Sequence, residues 1–392
     1  MNVLVVNAGS SSLKYQLLDT DTRKIATKGN CERIGLDRGI FTHTDPSGEK
    51  VVEDALFPDH KAAINRVLKT LDEGGYTFEG IGHRIVQGGW YFDDSALVDD
   101  EVMAKILEVA PLAPLHNYGE AAAIDACRER YPEIPNVAVF DTSFHMTMPQ
   151  VAYTYALPKD VREKYHIRKY GAHGTSHRYE WMVAKEMLGD FCHRLLSCHL
   201  GNGASLCAIE DGVCRDTTMG LTPLDGLMMG TRCGSIDPAT VCYLQREGGY
   251  TYDEVDEMMN KKSGLLAVSG ISSDARDIRE GANHGDENCL LAFDMYAYKA
   301  MLQAASMIAS MAGVDTITFT AGIGENDWTI RQAFCECFDW LGVRVDRERN
   351  QNAVGNGAQV ISAAGSPVTV MVIPTDEEYM IALDVKRLTE GA

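Results

Sequence analysis

The chain has 392 residues, 45% apolar and 23% charged, the balance of a globular protein with room for two domains. A formal charge of −20 argues against nucleic acid or an anionic membrane as a partner, while leaving room for a nucleotide held by local basic groups. Eleven cysteines follow no framework spacing, which reads as free thiols in a reducing, cytoplasmic compartment. The N-terminus enters a strand pattern directly, so no signal peptide is expected. The longest apolar helical stretch, near 287–312, is broken by Asp294, Lys299 and Gln303 and does not read as a membrane span.

Val3 to Val6 is a β-branched run that predicts a buried strand, and Leu13 to Leu18 predicts a second with alternating polarity. Between them lie one Gly and three Ser. Such a hairpin offers backbone N–H groups, the Ser10 and Ser12 hydroxyls and the Lys14 ammonium, a donor set suited to a phosphate chain and equally to an ordinary polar turn. Short strands with turns at 37–39 and 46–48 are expected over 30–55. Ile64, Val67, Leu68 and Leu71 have helical spacing, stopped by Gly74-Gly75. Ile81 to Val86 reads as a strand carrying His83 and Arg84, and 101–109 as a helix ended by Pro111. Asn117 and Glu120 have capping-box spacing, which puts His116 at the mouth of a helix N-terminus, a favourable place for an anion. Asn136 to Phe140 reads as a buried strand with Asp141 at its C-terminal end, where ligand groups collect in open α/β sheets.

A second half begins after Pro149. Residues 168–176 are polar and Gly-containing, hence a loop. Strand 195–198, turn 199–205 and strand 206–209 repeat the opening hairpin, with Ser12-Leu13 and Ser205-Leu206 in matching places, which suggests duplication. A long loop over 219–238 holds Pro223, Arg232 and Asp237, and 270–279 holds Asp274, Arg276 and Asp277. The apolar helix leads into strand 316–320, a Gly-x-Gly turn over 321–326 and a helix over 328–341, an arrangement also found at nucleotide sites. Strand 368–373 meets Thr375 and Glu378, a second capping-box spacing, which leaves Asp376 and Glu377 as acidic groups near a helix start.

The sequence holds neither a Walker loop nor a Gly-rich loop paired with H-R-D. Three strand-linked turns, at 7–12, 199–205 and 321–326, stand in their place. Two halves that each offer a hairpin to a phosphate chain resemble the duplicated α/β superfold of actin, Hsp70 and the sugar kinases, a ribonuclease H-like two-domain fold with a central cleft. The resemblance narrows on an ordered series: Asn7-Ala-Gly-Ser-Ser-Ser-Leu-Lys14, His83-Arg-Ile-Val-Gln-Gly-Gly89, Leu115-His-Asn117, Phe140-Asp-Thr-Ser-Phe-His145, His173-Gly-Thr-Ser-His177, His199-Leu-Gly-Asn-Gly203, Gly230-Thr-Arg232, Ile236-Asp-Pro238, Gly322-Ile-Gly-Glu-Asn326 and Pro374-Thr-Asp-Glu-Glu378. In order and approximate spacing this series is similar to that of the acetate kinases, over nearly the full chain.

That resemblance implies reversible transfer of a phosphoryl group from ATP to acetate, giving acetyl phosphate and ADP, with Mg²⁺ or Mn²⁺, in a homodimer whose ligands are small molecules. It implies two β-β-β-α-β-α-β-α cores: residues 1–148 with about 378–392 as an acyl-kinase domain, and 149–377 as the nucleotide-binding and dimerisation domain. The nucleophile would be a carboxylate, already ionised at pH 7, so positioning and fixed positive charge would carry catalysis rather than a general base. Arg84 matches the arginine that holds the substrate carboxylate, and Arg232 the one that stabilises the phosphoryl oxygens. The structural alternative for either is a plain salt bridge. His173 and His116 match two family histidines, His173 as a donor to the phosphoryl group. Asp141 and Glu377 match its two carboxylates. Asn7 and Glu377 match its metal-site residues, with a helix-dipole role as the alternative for Glu377. Ser12 and Lys14 would touch ATP phosphates from the first hairpin, and His199, Leu200, Gly201, Asn202 and Gly203 from the second. Asp274, Ala275 and Arg276 would line the adenosine pocket with Gly322, Ile323, Gly324, Glu325 and Asn326.

Val86, Leu115 and Pro223 match three walls of the family's acyl pocket. The fourth is Phe in the family pattern and Ala172 here, which predicts better use of propionate or longer acids. Gln87, Tyr118 and Asp376 also depart from the pattern. Cys233 and Ser235 replace Ser and Asp beside Arg232, which predicts altered kinetic constants. Some relatives use pyrophosphate; the intact turn at 322–326 favours ATP. Two readings compete with acetate phosphorylation. One is a kinase of another short-chain acid. The other is an actin-like ATP-binding module, which would have no use for two active-site arginines.

Overall fold

The computed structural model describes residues 1–390; the expected C-terminal reach to 392 includes two residues outside that range. The chain forms two compact units, one of Met1–Met146 with the segment from Asp376 onward, the other of Thr147–Thr375. The division at 375/376 groups Glu377 with the first unit, whereas the expected boundary put it with the second.

The first unit is built on strands β1 (Asn2–Ala8), β2 (Ser12–Asp19), β3 (Ile25–Glu32), β4 (Gly39–Thr44), β5 (Lys50–Ala55), β6 (Gly80–Ile85), β7 (Ala96–Leu97) and β8 (Asn136–Phe140), in the spatial order 5-4-3-2-1-6-8-7. β1 and β2 are antiparallel, with Asn7 opposite Lys14, while β1, β6 and β8 run parallel and end on the same side. Helix His60–Glu73 starts where Asp59 accepts a hydrogen bond from the Ala62 N–H and stops at Gly74. Its Ile64, Val67, Leu68 and Leu71 share a core with Leu4, Val6 and Leu13 of the hairpin and with Ala123 and Cys127 of helix Asn117–Arg130. Strand alternation turns Val3 and Val5 to the opposite face, where helix Glu377–Glu390 lies against β1, β6 and β8. Glycines let that helix come close: a Cβ at Gly80 or Gly82 would lie 2.5 Å from Val385 or Ile381 respectively.

The second unit contains β9 (Arg194–Leu200), β10 (Ala204–Glu210), β11 (Val213–Thr217), β12 (Thr316–Thr320), β13 (Gln359–Val360) and β14 (Thr369–Val372), ordered 11-10-9-12-14-13. That is the order 3-2-1-6-8-7 of the first unit, with the same chain sequence and the same short antiparallel edge strand. The duplicated α/β topology expected from the two hairpins is therefore present. Helix Glu287–Ser310 packs on β10 and β11, and helix Gly174–Leu188 on β9 and β12.

Several local expectations need correction. The Gly-x-Gly stretch is the short helix Ala321–Asn326, not a turn; Glu325 Oε1 accepts from the Ala321 N–H at 2.8 Å. The loop from 168 ends at His173, because Gly174 already begins a helix. The helix from Trp328 stops at Glu336, and a separate 3₁₀ turn covers Asp339–Leu341. The second hairpin turn is only Gly201–Gly203, since Leu200 pairs with Ala204 and His199 with Ser205. Ser12 precedes the last β1–β2 pair, so it does not match Ser205.

Neither expected capping box forms. Asn117 instead bridges the backbone of Gln87, accepting from its N–H at 3.2 Å and donating to its C=O at 2.8 Å, while His116 holds the cap position. Glu120 accepts from the Val86 N–H, which lies past the end of the β6 ladder and needs a partner. At the C-terminal helix, Asp376 accepts from the Tyr379 N–H at 3.0 Å and takes the cap that Thr375 was expected to fill. The Thr375 hydroxyl lies 3.2 Å from Ser176 Oγ.

Candidate active site

In the first unit, three parallel strands and one helix start deliver four polar side chains to one place. Asn7 closes β1, Arg84 lies on β6, Asp141 follows β8, and Glu377 opens the C-terminal helix. Arg84 Nη2 donates to Asp141 Oδ2 at 2.6 Å, Nε reaches both carboxylate oxygens, and Nη1 donates to Asn7 Oδ1 at 3.2 Å. This fork fixes the plane of the guanidinium. Burial works against the Arg84 charge, but Asp141 and Glu377 outweigh it and raise its pKa. Burial, with Asp141 and Glu378 nearby, pushes the Glu377 carboxyl up to about 7, even though Arg84 and Lys14 pull the other way. Glu120, fully buried behind Val86, is pushed up to about 8, chiefly by burial. Carboxylates are thus in excess over the one buried guanidinium. That excess and the hard oxygen donors of Asn7 and Glu377 fit a divalent cation such as Mg²⁺.

Other first-unit candidates lie nearby in the fold. Lys14 is exposed and Ser12 half-buried at the hairpin turn, where the Gly9 N–H donates to the Ser12 C=O at 2.7 Å. Val86 is buried, whereas Leu115 is 57% exposed and not packed as a wall within its own unit.

The second unit gathers His173, His199, Arg232 and the turn at Gly203. His173 sits at the N-cap of helix Gly174–Leu188 with φ 58, a left-handed conformation a non-glycine residue adopts at a cost. Its ring stacks on His199 at 4.1 Å, and its Nδ1 lies 2.9 Å from Ser205 Oγ. The outer nitrogen faces the hairpin: a Cβ on Gly203 would lie 3.4 Å from His173 Nε2 and 3.7 Å from Arg232 Nη1. Glycine at 203 leaves that space open. Arg232 Nη1 donates to the Pro223 C=O at 3.0 Å, and among the described residues the guanidinium forms no ion pair. Burial lowers its pKa. A largely buried cation without an anion, beside an imidazole and a glycine turn, is a ready anion site. Gly230 holds the turn from behind, since a Cβ there would overlap Asn202 Oδ1 at 1.7 Å. Ser235 donates to Asp225 at 2.6 Å, tying down the loop beyond Arg232, while Cys233 lies beside it.

A cavity of about 1110 Å³ opens next to Asn202, lined by Asp274, Ala275, Arg276, Gly322, Ile323 and Asn326 among others. Asp274 caps helix Ala275–Asn283 and pairs with Arg276 at 2.6 Å. Gly324 and Glu325, expected in this pocket, do not line it. The Gly324 C=O accepts from the buried Arg331, and Glu325 turns to the N–H groups of Ala321 and Thr375. Leu200 is likewise fully buried, so only its backbone can serve a ligand. Ala172 is 3% exposed and belongs to the core of this unit. A second concavity, about 1160 Å³ by Phe191 and His193, lies at the opposite end of β9; in it Arg194 pairs with Asp315 and His193 Nδ1 lies 2.9 Å from Asp211 Oδ1.

Comparison with known proteins agrees across the chain. The family model described as the acetokinase family matches residues 2–383. The chain is 47% identical to an acetate kinase of Caldanaerobacter subterraneus, covering all of both chains, and 50% identical to one of Bacillus cytotoxicus, covering 98% of each. Among solved structures it is similar to Porphyromonas gingivalis acetate kinase, with TM-score 0.93, 42% identity and 99% of each chain covered. It is also similar to a propionate kinase from Francisella tularensis, with TM-score 0.93, 37% identity, and 98% and 99% of the two chains covered.

Proposed function

The chain belongs to the acetokinase family, and from that premise we propose that it catalyses reversible transfer of the ATP γ-phosphoryl group to acetate. The observation that carries this reading is Arg232, partly buried beside His173 and Gly203, with no carboxylate paired to it among the described residues. A phosphoryl group in flight spreads charge over its equatorial oxygens, and a fixed, partly desolvated guanidinium suits that charge.

In this reading Arg84 holds the acetate carboxylate, and Asp141 aims Arg84 through its two-point contact. The attacking oxygen is ionised at neutral pH, so no residue needs to remove a proton. His173 donates to the phosphoryl group, and His116 offers a further polar contact at its helix N-terminus. Ser12, Lys14 and the turn 201–203 take the ATP phosphates, and the cavity beside Asn202 takes the adenosine. Asn7 and Glu377 would hold Mg²⁺ (or Mn²⁺), which when bound supplies charge neutralisation for the phosphate oxygens. The first unit is accordingly the acyl half and the second the nucleotide half. A cytoplasmic homodimer completes the proposal.

Hydroxylamine trapping tests it: ATP, Mg²⁺ and acetate should yield acetohydroxamate. An ATP-binding module without an acyl substrate would yield none with any short acid, and that result would sink the proposal. Ala172, where the family pattern has Phe, favours a second reading in which propionate is the preferred acid; a solved relative is a propionate kinase. Each methylene gained in an apolar pocket is worth about 1–3 kcal/mol, so kcat/KM for acetate, propionate and butyrate separates the two.

A further inference from the structure

Helix Gly174–Leu188 carries an acidic group that this reaction does not use. Glu180 is fully buried where the helix packs on β9 and β12. Its Oε1 lies 2.6 Å from Ser197 Oγ, and its Oε2 accepts from Thr318 Oγ1 at 2.5 Å. The contacts then continue. Ser197 Oγ meets His177 Nδ1 at 2.5 Å, His177 Nε2 meets Ser205 Oγ at 2.9 Å, and Ser205 Oγ meets His173 Nδ1 at 2.9 Å. Glu180, Ser197, His177 and Ser205 are all 0% exposed. At the far end, His173 Nε2 faces Gly203 beside Arg232.

We propose that Glu180 is a positioning residue that decides which nitrogen of His173 carries the proton, acting through Ser197, His177 and Ser205. A hydroxyl has one proton and a neutral imidazole one N–H, so the sense of every bond follows from the first member of the chain. With Glu180 protonated, its O–H donates to Ser197, Ser197 to His177 Nδ1, His177 Nε2–H to Ser205, and Ser205 to His173 Nδ1. His173 then keeps its proton on Nε2, aimed at the phosphate turn. With Glu180 ionised each bond reverses: Ser197 donates to the carboxylate, His177 Nδ1–H to Ser197, Ser205 to His177 Nε2, and His173 Nδ1–H to Ser205. His173 Nε2 then presents a lone pair to an anion. The two states differ by the single proton on Glu180, and both imidazoles stay neutral in each.

The surroundings favour the donor form at neutral pH. Burial first, and then Glu325 as a like charge, push the Glu180 carboxyl up to about 8, against the hydrogen bonds from Ser197 and Thr318. The other titratable groups facing it are His177, 3.8 Å away on its own helix, and the buried thiols of Cys198 and Cys207. His173 in turn faces His199 and Arg232.

The kinetic side of this inference rests on placing His173 at the phosphoryl group; the tautomer itself does not. Two-bond ¹H–¹⁵N spectra of the full-length protein without substrates, with His173 assigned by its loss in His173→Asn, read the tautomer at about pH 6.5 and about pH 9.5. The expected result is Nε2–H at the lower pH and Nδ1–H at the higher. In Glu180→Gln the amide donates to Ser197 while its C=O accepts from Thr318, so Nε2–H should persist at both. Wild-type kcat should fall about tenfold per pH unit above pH 8, toward a floor about 10²-fold down, with the ATP KM steady and the Glu180→Gln profile flat. Ser205→Ala cuts the chain and should abolish the tautomer shift, which keeps the test available if Glu180→Gln does not fold. A His173 tautomer that ignores pH in the wild type, or a shift that survives in both variants, overturns the proposal. An intact tautomer shift in a protein that makes no acyl phosphate overturns the functional reading instead.

Discussion

Arg84 and Arg232 are both partly buried guanidiniums, yet their surroundings differ. Arg84 is anchored by Asp141 and Asn7, which fixes its plane while leaving one N–H on each of Nη1 and Nη2 without a hydrogen-bond partner among the described residues, so it is a fixed fork. Among the described residues no carboxylate pairs with Arg232, which under the proposed function leaves its charge for an incoming anion. Replacing Arg232 by Ala should lower kcat by about 10³-fold, by analogy with an arginine finger, and Lys should restore little because it lacks the planar fork. Steady-state kcat of the two variants with ATP and acetate checks this. Glu120 gives a prediction about stability. Its carboxyl moves from an ordinary 4.5 to about 8 in the folded state. Between those values the folded form binds more protons than the unfolded, so stability falls as pH rises through that window, by at most about 1.4 kcal/mol per pH unit. Urea midpoints measured against pH should therefore decline less steeply in Glu120→Gln, with Glu180 and Glu377, whose carboxyls are also raised, contributing to the slope that remains. Arg84, Asp141 and Arg232 were legible in the sequence because short, ordered motifs mark them. Glu180 and His177 were not read as site residues, because their partners Ser197, Ser205 and Thr318 are distant in sequence and only the sheet brings them together.

At the scale of elements, strands were easier to read than helix starts. The continuous apolar run of Val3 to Val6 and the alternation of Leu13 to Leu18 name the two strands of the hairpin, and the sheet then dictates the register. Asn117 with Glu120, and Thr375 with Glu378, satisfy a local capping pattern, but tertiary partners claim Asn117, Glu120 and Thr375, and Asp376 takes the second cap. The helix Ala321–Asn326 was missed for a related reason. Two glycines argue against a helix locally, whereas Arg331 Nη1 secures its C-terminal end by donating to the Gly324 and Glu325 carbonyls, both at 2.8 Å. The close approach of helix Glu377–Glu390 to β6 yields a prediction. Gly82→Ala places a methyl group 2.5 Å from Ile381, which should destabilise the fold by about 1–3 kcal/mol. Because Glu377 rides on that helix, the Mg²⁺ concentration for half-maximal activity should rise as well. Thermal melts and a Mg²⁺ titration of the variant measure the two effects.

Across the whole molecule, two copies of one sheet topology carry different side chains at their strand ends. The first carries carboxylates around a guanidinium; the second carries histidines, a guanidinium that forms no ion pair among the described residues, and a cavity of about 1110 Å³ next to Asn202. Amide hydrogen exchange should separate them. ADP alone should protect 199–203, 274–276 and 321–326, and leave the ends of β1, β6 and β8 unprotected. Protection of all segments alike by ADP would contradict that division of labour. The helix that completes the first unit has a consequence for biosynthesis. A ribosome makes the strands that carry Val3, Val5, Gly80 and Gly82 early, but the helix that covers them, with Ile381 and Val385, emerges after the whole of Thr147–Thr375. The first unit to be translated is therefore the last to close. Until that helix is made, the apolar sheet face it covers has no partner from its own unit.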